Sequence, residues 1–168
     1  MMSILVLVVE DEPDIATLLG DQLQALGHEV MVAGDGQAAL DTIEKSEPGL
    51  MLLDLNLPKI GGMDVLKQVR KGWPDLPVIV MTAHGTIPRV VEAMKEGATD
   101  FITKPFDGDY LKLVVGKALE HRELKHEVTV LRSEVESRYD MVVAASPKMN
   151  EVIQTARKAA QSDSTVLL

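Results

Sequence analysis

The sequence predicts an α/β fold with a doubly wound parallel sheet. From residue 3 to about residue 120, short continuous runs of Val, Ile and Leu alternate with amphipathic helical patterns. Such runs are typical of strands that are buried on both faces of a parallel sheet. Strict alternation of strands and helices implies right-handed crossovers, which place helices on both faces of the sheet. Acids, a hydroxyl and a lysine follow several of these runs, so polar groups should gather at one edge.

Five segments have the composition of strands. The first is an unbroken apolar run before three acids, the second is short, and the next two end at Asp54 and Thr82. Ligands bind just beyond the carboxyl ends of the strands in open α/β sheets, so these ends define the candidate site. The predicted strands are Ile4–Val9, Glu29–Ala33, Gly49–Asp54, Val78–Thr82 and Phe101–Thr103.

Five helices are predicted between and after the strands. Pro13 suits the first position of the first helix, Gly27 ends it, and Gly36–Glu47 forms the second helix. Asp107 or Asp109 can cap the fifth helix. The apolar positions of the five helices are Ile15, Leu18, Leu19, Leu23 and Leu26; Ala39, Leu40 and Ile43; Val65, Leu66 and Val69; Ile87, Val90, Val91 and Met94; and Leu111, Val114, Val115, Ala118 and Leu119.

The composition argues against several classes of protein. A net charge of −9 over 168 residues disfavours direct binding to nucleic acid or to an anionic membrane. The sequence contains no cysteine, which excludes disulfides and thiolate metal ligands. The apolar start Ile4–Val9 is too short to span a membrane and lacks the flanks of a secretion signal, so a cytoplasmic protein is expected.

A charged helical segment continues beyond the fifth predicted helix. Glu120–Arg138 contains neither Gly nor Pro, and four of its apolar residues follow the 4-3-4 spacing of a coiled-coil seam. The alternative is a single solvated helix with a thin apolar stripe, because two heptads fall short of the roughly three to four that the pattern usually requires. The seam residues are Leu124, Val128, Leu131 and Val135.

A new unit is predicted near the end of the sequence. Ser146 and Pro147 have the pattern of an N-cap followed by proline at the first helical position. Thr165–Leu168 has the composition of a buried strand that begins at the last residues. We therefore expect a chain that has been shortened.

The residues at the strand ends suit phosphoryl transfer. Asp54 close to Glu10 and Asp11 would place like charges together, and a hard divalent cation such as Mg²⁺ relieves that repulsion. With Mg²⁺ bound, Asp54 stays ionised and can attack phosphorus as a nucleophile. Lys104 supplies a second cation for the phosphoryl oxygens, and the Thr82 hydroxyl can donate a hydrogen bond to another.

Four separated motifs stand at the strand ends, namely Val8-Val9-Glu10-Asp11-Glu12-Pro13, Leu52-Leu53-Asp54-Leu55-Asn56-Leu57-Pro58, Met81-Thr82-Ala83-His84-Gly85 and Phe101-Ile102-Thr103-Lys104-Pro105-Phe106. Together they resemble a two-component response-regulator receiver domain, over residues 3 to about 120. The resemblance implies a flavodoxin-like sheet of five parallel strands in the order 2-1-3-4-5. Glu10 stands where aspartate is commoner in that family, which lengthens one arm and keeps the charge.

The resemblance also implies a role for each residue of the site. A partner histidine kinase would donate the phosphate, and Mg²⁺ would be the cofactor. By that match, the phosphoacceptor is Asp54, the Mg²⁺ ligands are Glu10, Asp11, Asp54 and the backbone carbonyl of Asn56, and the phosphoryl-contacting and switch residues are Thr82, Lys104 and Phe101.

The remaining similarity is to one branch of the receiver family. Thr82–Ile87, Gly97–Phe101 and the linker helix resemble NtrC-type activators of sigma-54 transcription. Ser146–Leu168 resembles the opening of their AAA+ ATPase domain, whose phosphate-binding loop would follow Leu168. The domain prediction is a receiver at residues 1–120, a helical or coiled-coil linker at 121–140 and the incomplete start of an AAA+ domain at 141–168.

These observations predict a phosphorylation switch of a two-component phosphorelay rather than an enzyme. Phosphate on Asp54 would change the surface of the helices Ile87–Glu96 and Asp107–Leu119, which lead into the linker helix. A homodimer formed by these helices and the linker would then rearrange and control sigma-54-dependent transcription through output domains absent from this sequence. Autodephosphorylation should be slow at most, and whether phosphate makes or breaks the dimer stays open.

Two alternatives to the receiver interpretation are open. A Mg²⁺-dependent phosphatase could use Asp54 as its nucleophile, although such enzymes usually need a second acid where this sequence has Asn56. The other alternative is a dimerisation or docking module whose acidic pocket has no chemistry.

Overall fold

Strands and helices alternate along the chain as the sequence predicts. A computed structural model describes residues 3–83, 87–141, 151–152 and 154–155. Most observed ends of the elements differ from the predicted ends by one or two residues; the exception is the fifth helix, which was predicted to end at Leu119 and runs on to Met141. In chain order the elements are β1 (Leu5–Val9), α1 (Pro13–Ala25), β2 (Glu29–Ala33), α2 (Gly36–Ser46), β3 (Leu50–Asp54), α3 (Gly62–Gly72), β4 (Val78–Ala83), α4 (Ile87–Lys95), β5 (Asp100–Lys104) and α5 (Gly108–Met141).

The five strands form one parallel sheet in the order β2-β1-β3-β4-β5. β1 lies between β2 and β3, so that Val9 is opposite both Ala33 and Leu53. β4 pairs with β3 on its other side, and β5 pairs with β4. This order confirms the doubly wound, flavodoxin-like fold.

The sheet separates two apolar clusters. Successive strand residues point to opposite faces, so Leu7 and Met51 pack with residues of α2 and α3, whereas Val6 and Leu50 pack with residues of α1 and α5. All four of these strand residues are fully buried. Burial on both faces explains why β1 and β3 are continuous apolar runs rather than alternating ones.

The starts of three helices follow local chemistry. Pro13 occupies the first turn of α1. At the start of α2 the Asp35 carboxylate accepts a hydrogen bond from the Ala38 N–H (2.9 Å). The Asp107 carboxylate accepts one from the Tyr110 N–H (2.7 Å), which makes Asp107 the cap of α5.

Leu18 of α1 faces solvent although it is one of the apolar residues with helical spacing. Leu18 fits the helical spacing of the apolar residues, yet its side chain is 49% exposed. The buried residues Ala16, Leu19, Gly20 and Leu23 are spaced by three, one and three positions, which is a complete helical stripe on its own. Because neighbouring helix positions are about 100° apart, Leu18 lies about 150° around the helix from the centre of that stripe, on the solvent side.

Helix α5 continues through the sequence predicted as a linker. The chain divides into one compact unit over Met1–Glu123 and a second over Leu124–Leu168. The seam residues Leu124, Val128 and Leu131 lie on α5 with about half of each side chain exposed. The domain boundaries and the coiled coil stay predictions. No helix of the described residues combines the length and apolar content that a membrane crossing needs.

Most of the predicted AAA+ opening lies outside the described residues. The predicted helix start at Ser146 and Pro147 and the predicted strand Thr165–Leu168 are both outside them, as is the side chain of Val135. Residues 151–152 and 154–155 are helical. The AAA+ resemblance therefore rests on sequence.

The buried imidazole of His28 predicts a pH-dependent stability. The residue is 4% exposed, and among the described residues its Nδ1 has no hydrogen-bond partner. Burial lowers the pKa of His28. The unfolded chain therefore binds a proton that the folded chain resists, so the free energy of unfolding should fall as the pH decreases through about 6.5, the usual histidine pKa.

Urea unfolding between about pH 7.5 and 5.5 measures this loss. Wild type should lose about 1 kcal/mol more than His28→Gln across that range, because one pKa unit corresponds to about 1.4 kcal/mol. The exposed His121 provides the matched control, and His121→Gln should behave like wild type. Equal pH slopes for all three proteins would contradict the prediction.

Candidate phosphoacceptor and metal site

The candidate site lies where β1 and β3 end side by side. Because these strands are neighbours, Glu10 and Asp11 after β1 meet Asp54, the last residue of β3. One carboxylate oxygen from each of the three lies within 4.8 Å of the others. Glu10 and Asp54 are buried, and Asp11 is exposed. The three acids predicted as metal ligands are therefore together in space.

Lys104 contacts this acid cluster from the edge strand β5. Its Nζ donates to Glu10 Oε2 at 2.6 Å and also to Asp54 Oδ2. Lys104 is the last residue of β5, and the peptide bond between it and Pro105 is cis. The Lys104 ammonium group at the end of β5 thus contacts two buried carboxylates that follow β1 and β3, on the other side of β4.

Burial and charge compete in setting the pKa values of this group. Burial raises the pKa of Glu10, and although the hydrogen bond from Lys104 opposes this, the Asp54 charge adds to it, so the net pKa is raised. Burial lowers the pKa of Lys104, but the hydrogen bonds to Asp54 and Glu10 and the charges of these two carboxylates together outweigh burial and raise it. Lys104 therefore stays protonated at neutral pH. Its one positive charge faces three carboxyl groups, an excess that a divalent cation would balance.

The loop after β3 fixes the Asp54 backbone and carboxylate. The Asn56 N–H donates to Asp54 Oδ1 at 2.8 Å, and the Leu55 N–H donates to the Met81 carbonyl at 3.0 Å. Gly62, at the start of α3, lies so close that a Cβ there would overlap the carbonyl oxygen of Asp54. The Asn56 hydrogen bond therefore restrains the Asp54 carboxylate, while the Leu55 hydrogen bond and the close approach of Gly62 restrain the backbone beside it.

Thr82 and Phe101 lie on the two strands next to the acid cluster. Thr82 is buried near the end of β4, one position after Met81, which is opposite Asp54 in the sheet. Phe101 is partly buried and packs against the apolar cluster that includes Val80, its partner across the sheet. Their roles as phosphoryl contact and switch aromatic stay predictions.

Arg89 is a residue near the site that the sequence does not reveal. It lies in α4, and its guanidinium donates to Asn56 Oδ1 at 2.6 Å and to the Leu55 carbonyl at 3.4 Å. The contact with Asn56 joins residues 33 positions apart. No spacing rule in the sequence points to such a contact, because it depends on how α4 is placed above the loop.

The donor set of the site suits Mg²⁺. This ion prefers oxygen ligands, keeps several waters, and is usually held by one or two carboxylates together with a phosphoryl oxygen. Buried carboxylates at Glu10 and Asp54 supply charge, and the exposed Asp11 leaves one side open to water. The residues that would hold the ion are Glu10, Asp11 and Asp54, and the backbone carbonyl of Asn56 stays a predicted fourth ligand.

Comparisons with known proteins agree with this geometry. The family model described as "Response regulator receiver domain" matches residues 6–116. This chain belongs to the response regulator receiver family. The receiver resemblance deduced from the four motifs is thereby confirmed, and receivers of this family act in two-component signalling.

The receiver's relatives are longer regulatory proteins. Regulatory protein LuxO of Vibrio vulnificus is 38% identical over 162 residues, which cover 96% of this chain and 35% of LuxO. Response regulator protein FleR of Pseudomonas aeruginosa is 35% identical over 167 residues, which cover 99% of this chain and 33% of FleR. The crystal structure of NtrX from Brucella abortus superimposes with a TM-score of 0.76 at 39% identity, over 97% of this chain and 36% of NtrX. The receiver chain spans about a third of the length of these proteins.

Mg²⁺ should stabilise the receiver through its acid cluster. A ligand that binds only the folded state adds about 2.7 kcal/mol at about 100 times its Kd, which raises the Tm by several degrees. Thermal unfolding with and without MgCl₂ should show this rise for wild type and not for Asp11→Asn.

The exposed neighbour Glu12 provides the control for this measurement, since it is not among the clustered acids. Glu12→Gln should keep the full response to Mg²⁺. An equal rise in Asp11→Asn would assign the effect to another site, and no rise in wild type would contradict the proposed ligand set.

Proposed function

We propose that this receiver is the phosphoacceptor of a two-component phosphorelay, in which Asp54 takes a phosphoryl group from a sensor histidine kinase in the presence of Mg²⁺. The observation that carries the proposal is the double contact of Lys104 with Asp54 and Glu10. Together with a bound Mg²⁺, this lysine would supply a second cation for the charge of the transferred group. Membership of the receiver family supports the same conclusion.

Each residue of the site would have one task in the transfer. An Asp54 carboxylate oxygen attacks phosphorus, the P–N bond to the kinase histidine breaks, and the imidazole nitrogen leaves with the bonding electron pair. Lys104 binds one phosphoryl oxygen, and the Thr82 hydroxyl donates to another. Mg²⁺, when bound, neutralises charge on the phosphoryl oxygens.

We propose that phosphorylation then changes the surface formed by α4 and α5. The new group carries a charge of roughly −1.5 to −2 and offers three acceptor oxygens. Thr82 moves toward it, and Phe101 turns into the space that Thr82 leaves. The exposed apolar side chains Val91, Met94 and Leu113 on these helices would form part of a homodimer interface that continues along the linker.

The energy needed for such a switch is within reach of one phosphoryl group. Moving a two-state equilibrium from 1:99 to 99:1 requires about 5.5 kcal/mol of differential stabilisation. A new charge-assisted hydrogen bond from Thr82 would contribute about 1.5–3 kcal/mol, by the usual value for bonds to charged groups. Lys104 already contacts Asp54 and Glu10, so it would add only the difference between its phosphoryl and carboxylate contacts. Mg²⁺ would add to this sum.

The proposed output is sigma-54-dependent transcription in the cytoplasm. Support comes from the NtrC-like segments of the sequence and from relatives such as FleR, which is a response regulator. A regulator of that kind would join this receiver to output domains that hydrolyse ATP and bind DNA. The receiver itself, with its net charge of −9, would act on those domains and not on nucleic acid.

Phosphatase chemistry has less support. Catalysis of that kind needs an acid that protonates the leaving group, and Asn56 occupies the position where such enzymes carry it. The Asn56 side chain is instead bound to Arg89 at 2.6 Å. We therefore propose a phosphoacceptor with at most slow autodephosphorylation.

Phosphorylation at Asp54 is directly measurable. Acetyl phosphate and Mg²⁺ should add the mass of one phosphoryl group to wild type, detected by intact-protein mass spectrometry, and should add none to Asp54→Asn. Lys104→Ala should react at least about tenfold more slowly, because about 1.4 kcal/mol of lost stabilisation is tenfold in rate. The exposed acid Asp109 gives the control, and Asp109→Asn should react like wild type.

Two results would favour the alternatives. Rapid release of phosphate from small phosphate esters would indicate a phosphatase. No uptake by wild type and no response to Mg²⁺ would indicate a docking module without chemistry.

The linker seam predicts the oligomeric state. Replacing Leu124 and Val128 together by serine should raise the dimer dissociation constant at least about tenfold and shift the gel-filtration elution toward monomer. The reason is that the buried apolar surface lost with two such side chains contributes more than about 1.4 kcal/mol to association. Val130→Ser is the matched control, since Val130 is 40% exposed on the same helix and lies off the 4-3-4 spacing. An unchanged profile for the double variant would contradict dimerisation through the seam.

A further inference from the structure

Arg89 connects α4 to the loop that follows the phosphoacceptor. Its guanidinium donates to Asn56 Oδ1 at 2.6 Å and to the Leu55 carbonyl at 3.4 Å. Asn56 in turn donates its backbone N–H to Asp54 Oδ1 at 2.8 Å. One residue therefore separates the guanidinium from the carboxylate that would carry the phosphoryl group.

The Arg89 guanidinium is charged, but both groups that accept its hydrogen bonds are uncharged, although three acids lie at the same site. The ion pairs among the described residues join Lys104 to Glu10 and Asp54, Lys59 to Asp35, and Lys67 to Glu96, and none of them involves Arg89. A guanidinium forms stronger and often bidentate hydrogen bonds with an oxyanion than with an amide or a carbonyl oxygen. A new oxyanion nearby would therefore compete for Arg89.

Among the side chains that the structure describes, few of α4 are buried, so the Arg89 contacts contribute strongly to its position. Among its described side chains only Val90 and Ala93 are buried, and both Val91 and Met94 are largely exposed. The comparable helix α1 buries four residues against the sheet. Two hydrogen bonds from a charged group are thus a large share of what holds the first turn of α4 to the site.

We propose that Arg89 is a positioning residue that ties the first turn of α4 to the Leu55–Asn56 backbone while Asp54 is unphosphorylated, and that it exchanges these neutral partners for the phosphoryl group when Asp54 is modified. This inference rests on the proposed function. It adds a link to α4 that is separate from Thr82 and Phe101, because it runs through the loop after β3 rather than through β4 and β5.

The tie itself is tested in the unphosphorylated protein by hydrogen exchange of the α4 amides. Arg89→Ala and Asn56→Ala remove the same hydrogen bond from opposite ends, so both should raise α4 exchange about two- to tenfold, as expected for loss of a net 0.5–1.5 kcal/mol. Lys95→Ala removes an exposed cation from the same helix and should leave exchange unchanged. Equal exchange in all four proteins, wild type included, would overturn the proposal.

The exchange of partners is tested on the Arg89 side-chain Nε–Hε signal by NMR. Acetyl phosphate and Mg²⁺ should shift this signal in wild type and leave it in place in Asp54→Asn. Because the phosphoryl contact would replace the contacts with Leu55 and Asn56, phosphorylation should change α4 exchange more in wild type than in Arg89→Ala, which can make neither kind of contact.

Mass spectrometry of the same samples separates the two levels of the hypothesis. An unshifted Arg89 signal in wild type that carries the phosphoryl group would overturn the role of Arg89 and leave the phosphoacceptor intact. A wild-type sample without any phosphoryl group would overturn the proposed function, and with it the exchange of partners.

Discussion

One ammonium group between two buried carboxylates organises the functional edge of this receiver. Lys104 can contact Glu10 and Asp54 together only because the sheet order places the ends of β1 and β3 side by side and brings β5 within reach across β4. Buried acids of like charge are unfavourable unless a cation accompanies them. Lys104 neutralises part of the negative charge of the three acids, and the charge that is left would suit a divalent cation.

The sequence predicted the strands and their functional ends because the physics behind them is local. A strand buried on both faces must be apolar throughout, so β1, β3 and β4 are visible as unbroken runs, and the first polar residue after each run marks the edge of the sheet. Parallel pairing places Glu10, Asp11 and Asp54 at the same edge of the sheet, and the strand order, with β1 next to β3, brings them together. The resemblance to receivers then supplied the strand order.

Contacts between distant side chains were beyond the reach of such rules. Arg89 binds Asn56, and Lys59 pairs with Asp35 at 2.5 Å, but the residues around Arg89 and Lys59 in the sequence do not indicate these partners. Apolar spacing alone also did not show which residues of α1 are buried, since Leu18 fits the spacing and faces water. These features depend on how helices settle on the sheet, which periodicity describes only to within one helical position.

Gly62 places an unusual limit on how this domain can be altered. Replacing a helical glycine by alanine normally stabilises a protein by about 0.5–1 kcal/mol. At residue 62 that route is closed, since an added methyl group would push the Asp54 carbonyl and shift the carboxylate, whereas Gly72 at the other end of the same helix has open space around it. A substitution that raises the melting temperature is therefore better placed at Gly72, where an added methyl group would not disturb Asp54.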